Sequence, residues 1–237
     1  MHKYGFGVPV LPGQDGRSPA RIFQEDPEGW RASRRQMGVT MERVYLMPTP
    51  MGDFVIAYLE GDKDFGEANQ ILATSQLDAD VKFRDALKQV HGFDFSAAAG
   101  APAPEVVADW AKPGVTERKP GWAFIAPLKP GATETARAFA NEAWNTRTAE
   151  FAASRDKLGN TRETVILNQT PEGDVVVVYV EGDDPAESNR RFAASSEPFD
   201  VWFKDECRKI FPEFIDFNEP LPPIETIWDK QLSTATV

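Results

Sequence analysis

The chain offers few side chains for nucleophilic, acid–base or metal chemistry, since it has two histidines and one cysteine. His2 stands near the start, where we expect the chain to be frayed. His91 precedes Gly92 at the end of a predicted helix, where the helix dipole favours an imidazolium. We therefore expect a capping or surface role for His91. Cys207 falls on an apolar helical stripe, where a thiol is usually inert, so no cysteine nucleophile is predicted.

The carboxylates are numerous, but their positions favour structural roles. Asp64 and Asp184 stand just before predicted helices, as N-terminal caps do. Asp85 and Asp205 point away from buried stripes and towards solvent. No spacing matches a calcium loop, and no glycine pattern has the strand-then-helix context of a phosphate loop. The sequence therefore predicts no metal site and no cofactor.

Aromatic residues on predicted strands are the candidates for ligand binding. Because side chains alternate across a strand, Tyr58 shares one face with Phe54 and Ile56. The smaller residues of that strand, which suit the face beneath the helices, are Val55, Ala57 and Leu59. Tyr179 is the matching tyrosine further along the chain.

A tyrosine in an apolar interior needs a partner for its hydroxyl, and a ligand or water in a cavity can supply one. Phe6 and Trp122, each on a predicted first strand, are expected to line the same space as Tyr58 and Tyr179. The alternative is that both tyrosines fill the core and bond to backbone carbonyls.

These residues fall into two matching halves of the sequence, offset by about 120 residues. The matches include Thr49-Pro50-Met51-Gly52-Asp53 with Thr170-Pro171-Glu172-Gly173-Asp174, and Tyr58, Glu60 and Gly61 with Tyr179, Glu181 and Gly182. A period this long indicates two domain-sized copies rather than a solenoid. We place the copies at residues 4–110 and 120–230, with a polar linker at 111–119 that contains Pro113-Gly114.

Each copy has the predicted order strand, helix, strand, strand, helix, strand. In the second copy the first helix runs from about Glu134 to Leu158 and ends at Gly159, a left-handed cap. In the first copy Pro27 and Gly29 are expected to break the equivalent helix. Each copy ends in a short strand, at 105–108 and 225–228. This order is the split βαβ of ferredoxin-like domains, so the predicted class is α+β.

Residues 175–180 do not alternate apolar with polar side chains, so both faces of this predicted strand must be covered. Helices can cover one face, and the sheet of the other copy can cover the second. At this point the sequence resembles the dimeric α/β-barrel superfamily, in which two ferredoxin-like units pack sheet to sheet. Here both units would lie in one chain.

The resemblance implies several kinds of activity, because the superfamily includes cofactor-independent monooxygenases, lactone isomerases, haem-degrading and chlorite-converting enzymes, and proteins without known activity. In a haem-using relative His91 would be the candidate iron ligand. Phe211 takes its place in the second copy. The copies also differ at Lys82 and Trp202, which predicts that any ligand site is present in only one half.

The composition of the chain limits the classes of partner that it can bind. The formal charge of −11 repels nucleic acid and anionic lipid surfaces, and no apolar run is long enough to cross a membrane. Without a signal peptide, and with a single cysteine, the expected location is the cytoplasm. Further oligomerisation stays open.

The sequence thus predicts a protein that binds a small, largely apolar molecule. If it is an enzyme, the resemblance favours cofactor-independent monooxygenase or isomerase chemistry. The alternative is a non-catalytic structural or interaction scaffold, and a haem-binding enzyme is third. An enclosed apolar cavity of roughly 300 Å³ would separate the first two.

Overall fold

A computed structural model describes residues 1–93 and 102–232. The chain divides into two compact units. Unit 1 comprises Met1–Pro104 and Glu225–Val237, and unit 2 comprises Glu105–Ile224. Each unit is α+β and contains one four-stranded antiparallel sheet, as a double ferredoxin-like fold requires.

The sheet of unit 1 has the strand order β1-β3-β2-β8. The elements of this unit are β1 (His2–Pro9), α1 (Ser18–Glu25), α2 (Pro27–Gln36), β2 (Val39–Met47), β3 (Phe54–Gly61), α3 (Phe65–Thr74), α4 (Asp78–His91) and β8 (Glu225–Gln231).

The sheet of unit 2 has the matching order β5-β7-β6-β4. Its elements are β4 (Glu105–Ala111), β5 (Gly121–Pro127), α5 (Thr133–Asn141), α6 (Thr148–Leu158), β6 (Asn160–Asn168), β7 (Val175–Gly182), α7 (Pro185–Ala194) and α8 (Pro198–Ile210). As predicted, β7 is covered on both faces, because Val176, Val177, Tyr179 and Val180 are all buried.

The last strand of each predicted copy lies in the sheet of the other unit. β4 follows the first copy but pairs with β6, and β8 follows the second copy but pairs with β2. Glu105 binds Arg137 at 2.6 Å, and Glu225 binds Arg17 at 2.5 Å. Pairing with either sheet would satisfy the backbone hydrogen bonds of such a strand. Local sequence pattern therefore does not tell which sheet it joins, and a structural unit is not one sequence copy.

The first long helical region is split in both units. In unit 1 the break lies where the sequence predicts it, since Pro27 opens α2 and the Asp26 side chain accepts a hydrogen bond from the Gly29 amide at 2.9 Å. In unit 2 the prediction of one continuous helix is wrong. A π-helical turn at Glu142–Thr146 separates α5 from α6, with the Arg147 amide bound to the Glu142 carbonyl at 2.8 Å.

The helix-facing cores of the two units differ in composition. In unit 2 the helices cover the sheet with a large aromatic cluster that includes Phe139, Trp144, Phe151, Phe199 and Phe203. In unit 1 the buried residues include two smaller clusters. One contains Tyr4, Met37, Leu59, Ala68 and Leu72, and the other contains Ala20, Phe23, Trp30, Ala79 and Trp228. No helix in the described ranges is both long and apolar enough to cross a membrane.

Candidate functional site

Both predicted tyrosines are completely buried, and each donates its hydroxyl to a carboxylate two residues along the same strand. The Tyr58 hydroxyl lies 2.8 Å from Oε1 of Glu60, and the Tyr179 hydroxyl lies 2.5 Å from Oε1 of Glu181. Residues i and i+2 share one face of a strand, so the Tyr-x-Glu spacing creates the pair. The partners are thus side-chain carboxylates rather than backbone carbonyls, and no ligand is needed to satisfy either hydroxyl.

The Glu181 carboxylate also holds the end of the linker. Arg118 donates to Oε1 from Nε at 2.8 Å and from Nη2 at 2.5 Å. Arg162 Nε lies 3.3 Å from Oε2, and the Lys119 amide donates to the same oxygen at 3.3 Å. A buried carboxylate with this many donors is well compensated, which is typical of a structural group.

The structure does not bring Phe6 and Trp122 together with the tyrosines. Phe6 pairs in register with Ala57, and Trp122 pairs with Val180. Directly paired residues share a face, so both aromatic residues lie on the opposite face of the sheet from Tyr58 and Tyr179. Phe6 packs there against Phe65 of α3, with ring centroids 6.1 Å apart. Ala57 and Leu59 face the helices, as predicted.

Two buried polar groups on this helix-facing side were not singled out from the sequence. The Tyr4 hydroxyl and the Trp122 indole N–H occupy matching register positions, and neither has a hydrogen-bond partner among the described residues. Burial, reinforced by the nearby Glu42 carboxylate, raises the pKa of Tyr4 to about 12. Tyr4 is therefore a neutral phenol at ordinary pH.

Each unit also buries an arginine–glutamate pair between its helices and its sheet. In unit 1 Arg34 donates to Glu42 from Nε at 3.0 Å and from Nη2 at 2.7 Å, and Trp30 Nε1 adds a bond of 2.6 Å. In unit 2 Arg155 donates to Glu163 at 2.6 and 3.0 Å. Sequence reasoning missed these pairs, although Ser-Arg recurs at 33–34 and 154–155. Both pairs are shielded from water and stabilise the helix–sheet packing.

The two units differ in how a matched aspartate is satisfied. In unit 2 the hydroxyls of Ser154 and Ser195 donate to Asp200 at 2.5 and 2.6 Å. In unit 1 Oδ1 of the buried Asp80 has no hydrogen-bond donor in the described part of the chain, and the nearest arginine nitrogen, of Arg34, is 4.0 Å away. The polar interior of unit 1 is thus less completely satisfied than that of unit 2.

A cleft of about 190 Å³ opens on the helical surface of unit 1. It lies between the α1–α2 junction and the start of α4, and it is lined by Ile22, Glu25, Asp26, Ala79 and Lys82. Ala79, which is buried, belongs to the same cluster as Phe23, Trp30 and Trp228. The cleft is therefore lined mainly by charged side chains, with Ile22 and the almost fully buried Ala79 as its apolar residues.

Side chains fill the corresponding place in unit 2. The correspondence follows from helix position: Asp26 and Arg147 directly precede α2 and α6, while Ala79 and Phe199, and likewise Lys82 and Trp202, are the second and fifth residues of α4 and α8. The Arg147 guanidinium lies 3.9 Å from the Trp202 ring centroid and 5.0 Å from that of Phe199, and the two rings are 5.3 Å apart. Unit 1 has neither ring at this place: Ala79 stands where unit 2 has Phe199, the cationic Lys82 stands where it has Trp202, and the carboxylate of Asp26 stands where it has the Arg147 guanidinium.

His91 ends α4 as expected, but it lies in the interior, so the expectation of a surface role is wrong. The side chain is 7% exposed, and Nδ1 lies 2.9 Å from the Pro9 carbonyl oxygen. Burial lowers the pKa of His91, which favours the neutral ring with its proton on Nδ1. Nε2 has no hydrogen-bond partner within residues 1–93 and 102–232.

The remaining predictions for reactive groups agree with the structure. Cys207 is buried, and burial raises the pKa of its thiol, so it is inert. The side chains of Asp64 and Asp184 cap α3 and α7. Asp205 is exposed.

Two structural neighbours of this chain have low sequence identity to it. No family model matches the chain, and no curated protein matches it. An anthrone oxidase-like protein is similar in structure over 99% of this chain and 98% of its own, with a TM-score of 0.53 and 10% identity. A provisionally named monooxygenase from Fusobacterium nucleatum subsp. nucleatum covers 97% of this chain and 93% of its own, at 8% identity and a TM-score of 0.49.

Likeness at this level of identity concerns the fold alone. The anthrone oxidase-like structure supports the double ferredoxin-like fold over nearly the whole chain.

Proposed function

We propose that the protein binds a small, largely apolar molecule and that the cleft of unit 1 is its binding site. One observation carries this proposal: the cleft is open at the place where unit 2 stacks Arg147, Phe199 and Trp202. A site formed by the loss of filler side chains in one copy agrees with the prediction that only one half holds a ligand.

The size of the cleft limits the ligand. Pockets for drug-sized molecules enclose roughly 300–1,000 Å³. At about 190 Å³ this cleft is smaller and open to solvent, so it suits a molecule of one or two rings. Ala79 and Ile22 offer apolar contact to such a ring. The predicted ligand residues Tyr58, Tyr179, Phe6 and Trp122 do not line this cleft, and a role for them in binding stays a prediction.

If the protein is an enzyme, we propose the cofactor-independent monooxygenase or isomerase chemistry of its fold. The name of one neighbour suggests anthrone as a first substrate to test. Anthrone has three fused rings and is larger than the ligand inferred for the cleft, so this assay tests the proposed chemistry and not the cleft. The balanced reaction is anthrone plus O₂ giving anthraquinone plus water. Its progress is measured by the absorbance of anthraquinone and by the consumption of O₂. Tandem duplication and sheet-to-sheet packing of the two units as an intramolecular barrel also remain our proposals.

Two alternatives keep specific support. The small volume of the cleft and the internally satisfied tyrosine hydroxyls also fit a non-catalytic scaffold. The haem alternative is supported by Nε2 of His91, which has no hydrogen-bond partner among the described residues and could bind iron. The ring is buried, so it would have to become accessible first. A Soret band that keeps the position and width of free hemin when the protein is added would exclude haem binding.

The cleft is tested by filling it with the side chains of unit 2. Wild type should bind indole, detected by chemical-shift changes in NMR, and Ala79→Phe combined with Lys82→Trp should abolish those changes. Met51→Trp adds aromatic bulk at an exposed turn and serves as the control, in which binding should persist. Absence of indole binding to wild type, or unchanged binding in the filled variant, would reject the cleft as the site.

A further inference from the structure

We propose that the ligand of the unit 1 cleft combines an aromatic ring with a positively charged nitrogen, as an arylalkylamine does. This inference rests on the proposed function, because it names the class of molecule for the same cleft. It goes further by using unit 2 as a template for what the cleft lacks.

In unit 2 a guanidinium cation and two aromatic rings fill the place that corresponds to the unit 1 cleft. The Arg147 guanidinium stacks on Trp202 at 3.9 Å, within the range of a favourable cation–π contact. In unit 1 Ala79 and Lys82 replace the rings, and Asp26 replaces the cation. A ligand that restores this packing must therefore bring an aromatic ring to Ala79 and a cation to Asp26.

The charges at the rim favour the same class of ligand. Glu25 and Asp26 line the cleft with Lys82, which gives two carboxylates against one ammonium group. Lys82 Nζ lies 3.8 Å from Oδ2 of Asp78, so a neighbouring carboxylate partly offsets its positive charge. One oxygen of Asp26 caps α2 through the Gly29 amide, and the other can accept from a ligand. A cationic nitrogen beside Asp26 and Glu25 would form charge-assisted hydrogen bonds.

The exposure of Glu25 and Asp26 determines how strongly the cleft can prefer a cationic ligand. Rim carboxylates are in contact with water, and exposed ion pairs contribute little because solvent screens them. We expect a cationic ligand to bind about two- to five-fold more tightly than a neutral molecule of the same shape. An anionic analogue should bind more weakly than the neutral one.

The test compares three ligands that share one ring system. Tryptamine, 3-ethylindole and indole-3-propionate are cationic, neutral and anionic at pH 7, and their dissociation constants are measured by NMR titration on the full chain. Tryptamine should bind most tightly, and its advantage should shrink at high salt. In the variant Glu25→Gln with Asp26→Asn the preference should disappear while 3-ethylindole still binds. Asparagine remains a good helix N-cap, so the variant should keep its fold.

Each outcome separates this inference from the proposed function. Equal binding of all three ligands to wild type, or a preference that persists in the neutralised variant, would overturn the inference and leave the cleft as a binding site. Failure of all three ligands to bind would overturn both. Tighter binding of indole-3-propionate would overturn the inference and assign recognition to Lys82.

Discussion

The buried ion pair of unit 1 gives the sharpest stability prediction. Glu42→Gln keeps the shape of the side chain but removes the charge that faces Arg34. Glu42 accepts bonds from Arg34 Nε, Arg34 Nη2 and Trp30 Nε1, and both members of the pair are almost fully buried. The variant leaves a buried guanidinium without its counter-charge.

Breaking a buried pair in this way costs about 3–5 kcal/mol of the free energy of unfolding. For a chain of this length each kcal/mol lowers the midpoint by about 2–4 °C, so we expect a loss of roughly 6–20 °C. Glu163→Gln is the matched variant in unit 2, where Arg155 donates to both carboxylate oxygens. Its cost should be similar, because the glutamine oxygen at position 42 can still accept the bond from Trp30.

Urea denaturation followed by circular dichroism, together with calorimetry, measures both variants. A loss below about 1 kcal/mol for Glu42→Gln would show that Arg34 finds compensation elsewhere, and the reasoning on this pair would be wrong. A negligible loss for Glu163→Gln beside a large loss for Glu42→Gln would show that the two buried pairs are not equivalent.

Three further predictions concern single buried groups. Tyr58→Phe and Tyr179→Phe should each destabilise the protein by about 1–3 kcal/mol in urea denaturation, because a buried carboxylate loses a donor; a change in ligand affinity in either variant would instead support the sequence-based ligand role. Burial lowers the pKa of His91, so the unfolded state takes up its proton first and stability should fall as the pH drops below about 6.5. His91→Phe, which copies residue 211, should flatten that fall between pH 7.5 and 5.5, and an unchanged slope would contradict this. Trp228→Ala should cost about 3–5 kcal/mol, since β8 inserts this ring beside Phe23 and Trp30 of unit 1; a loss under about 1 kcal/mol would argue against that packing.

Local patterns predicted the elements of the fold well where one residue determines the backbone. Gly159 ends α6 with φ of +86°, and Gly38 has φ of +70° at the matching position. Pro27 begins a new helix, and the Thr-Pro-x-Gly turns join the predicted hairpins. Such positions are set by steric limits on one or two residues, so they can be read without knowing the rest of the chain.

Features that depend on distant partners could not be read in the same way. β4 and β8 meet the same backbone requirements in either sheet, so nothing local placed them in opposite units. The sequence does not give the register between β1 and β3, and a shift of one residue moves Phe6 to the other face of the sheet. The prediction that Phe6 lies with Tyr58 is wrong for this reason. The Tyr-x-Glu pairs could have been predicted from the sequence, since the spacing alone puts the hydroxyl and the carboxylate on one face of the strand.

The cleft was only half predicted. The difference between Lys82 and Trp202 indicated an asymmetric site, but Ala79 and Asp26 became relevant only when the structure brought α1, α2 and α4 together. A short contact such as that between Arg147 and Trp202 joins residues far apart in sequence, and periodicity carries no information on it.

The most direct test of the binding site is a crystal structure of the full chain soaked with tryptamine. We predict ring density over Ala79, with the amine towards Asp26, and none beside Phe199 in unit 2. Density in a different part of the protein, in both units, or in neither would contradict the assignment of the unit 1 cleft.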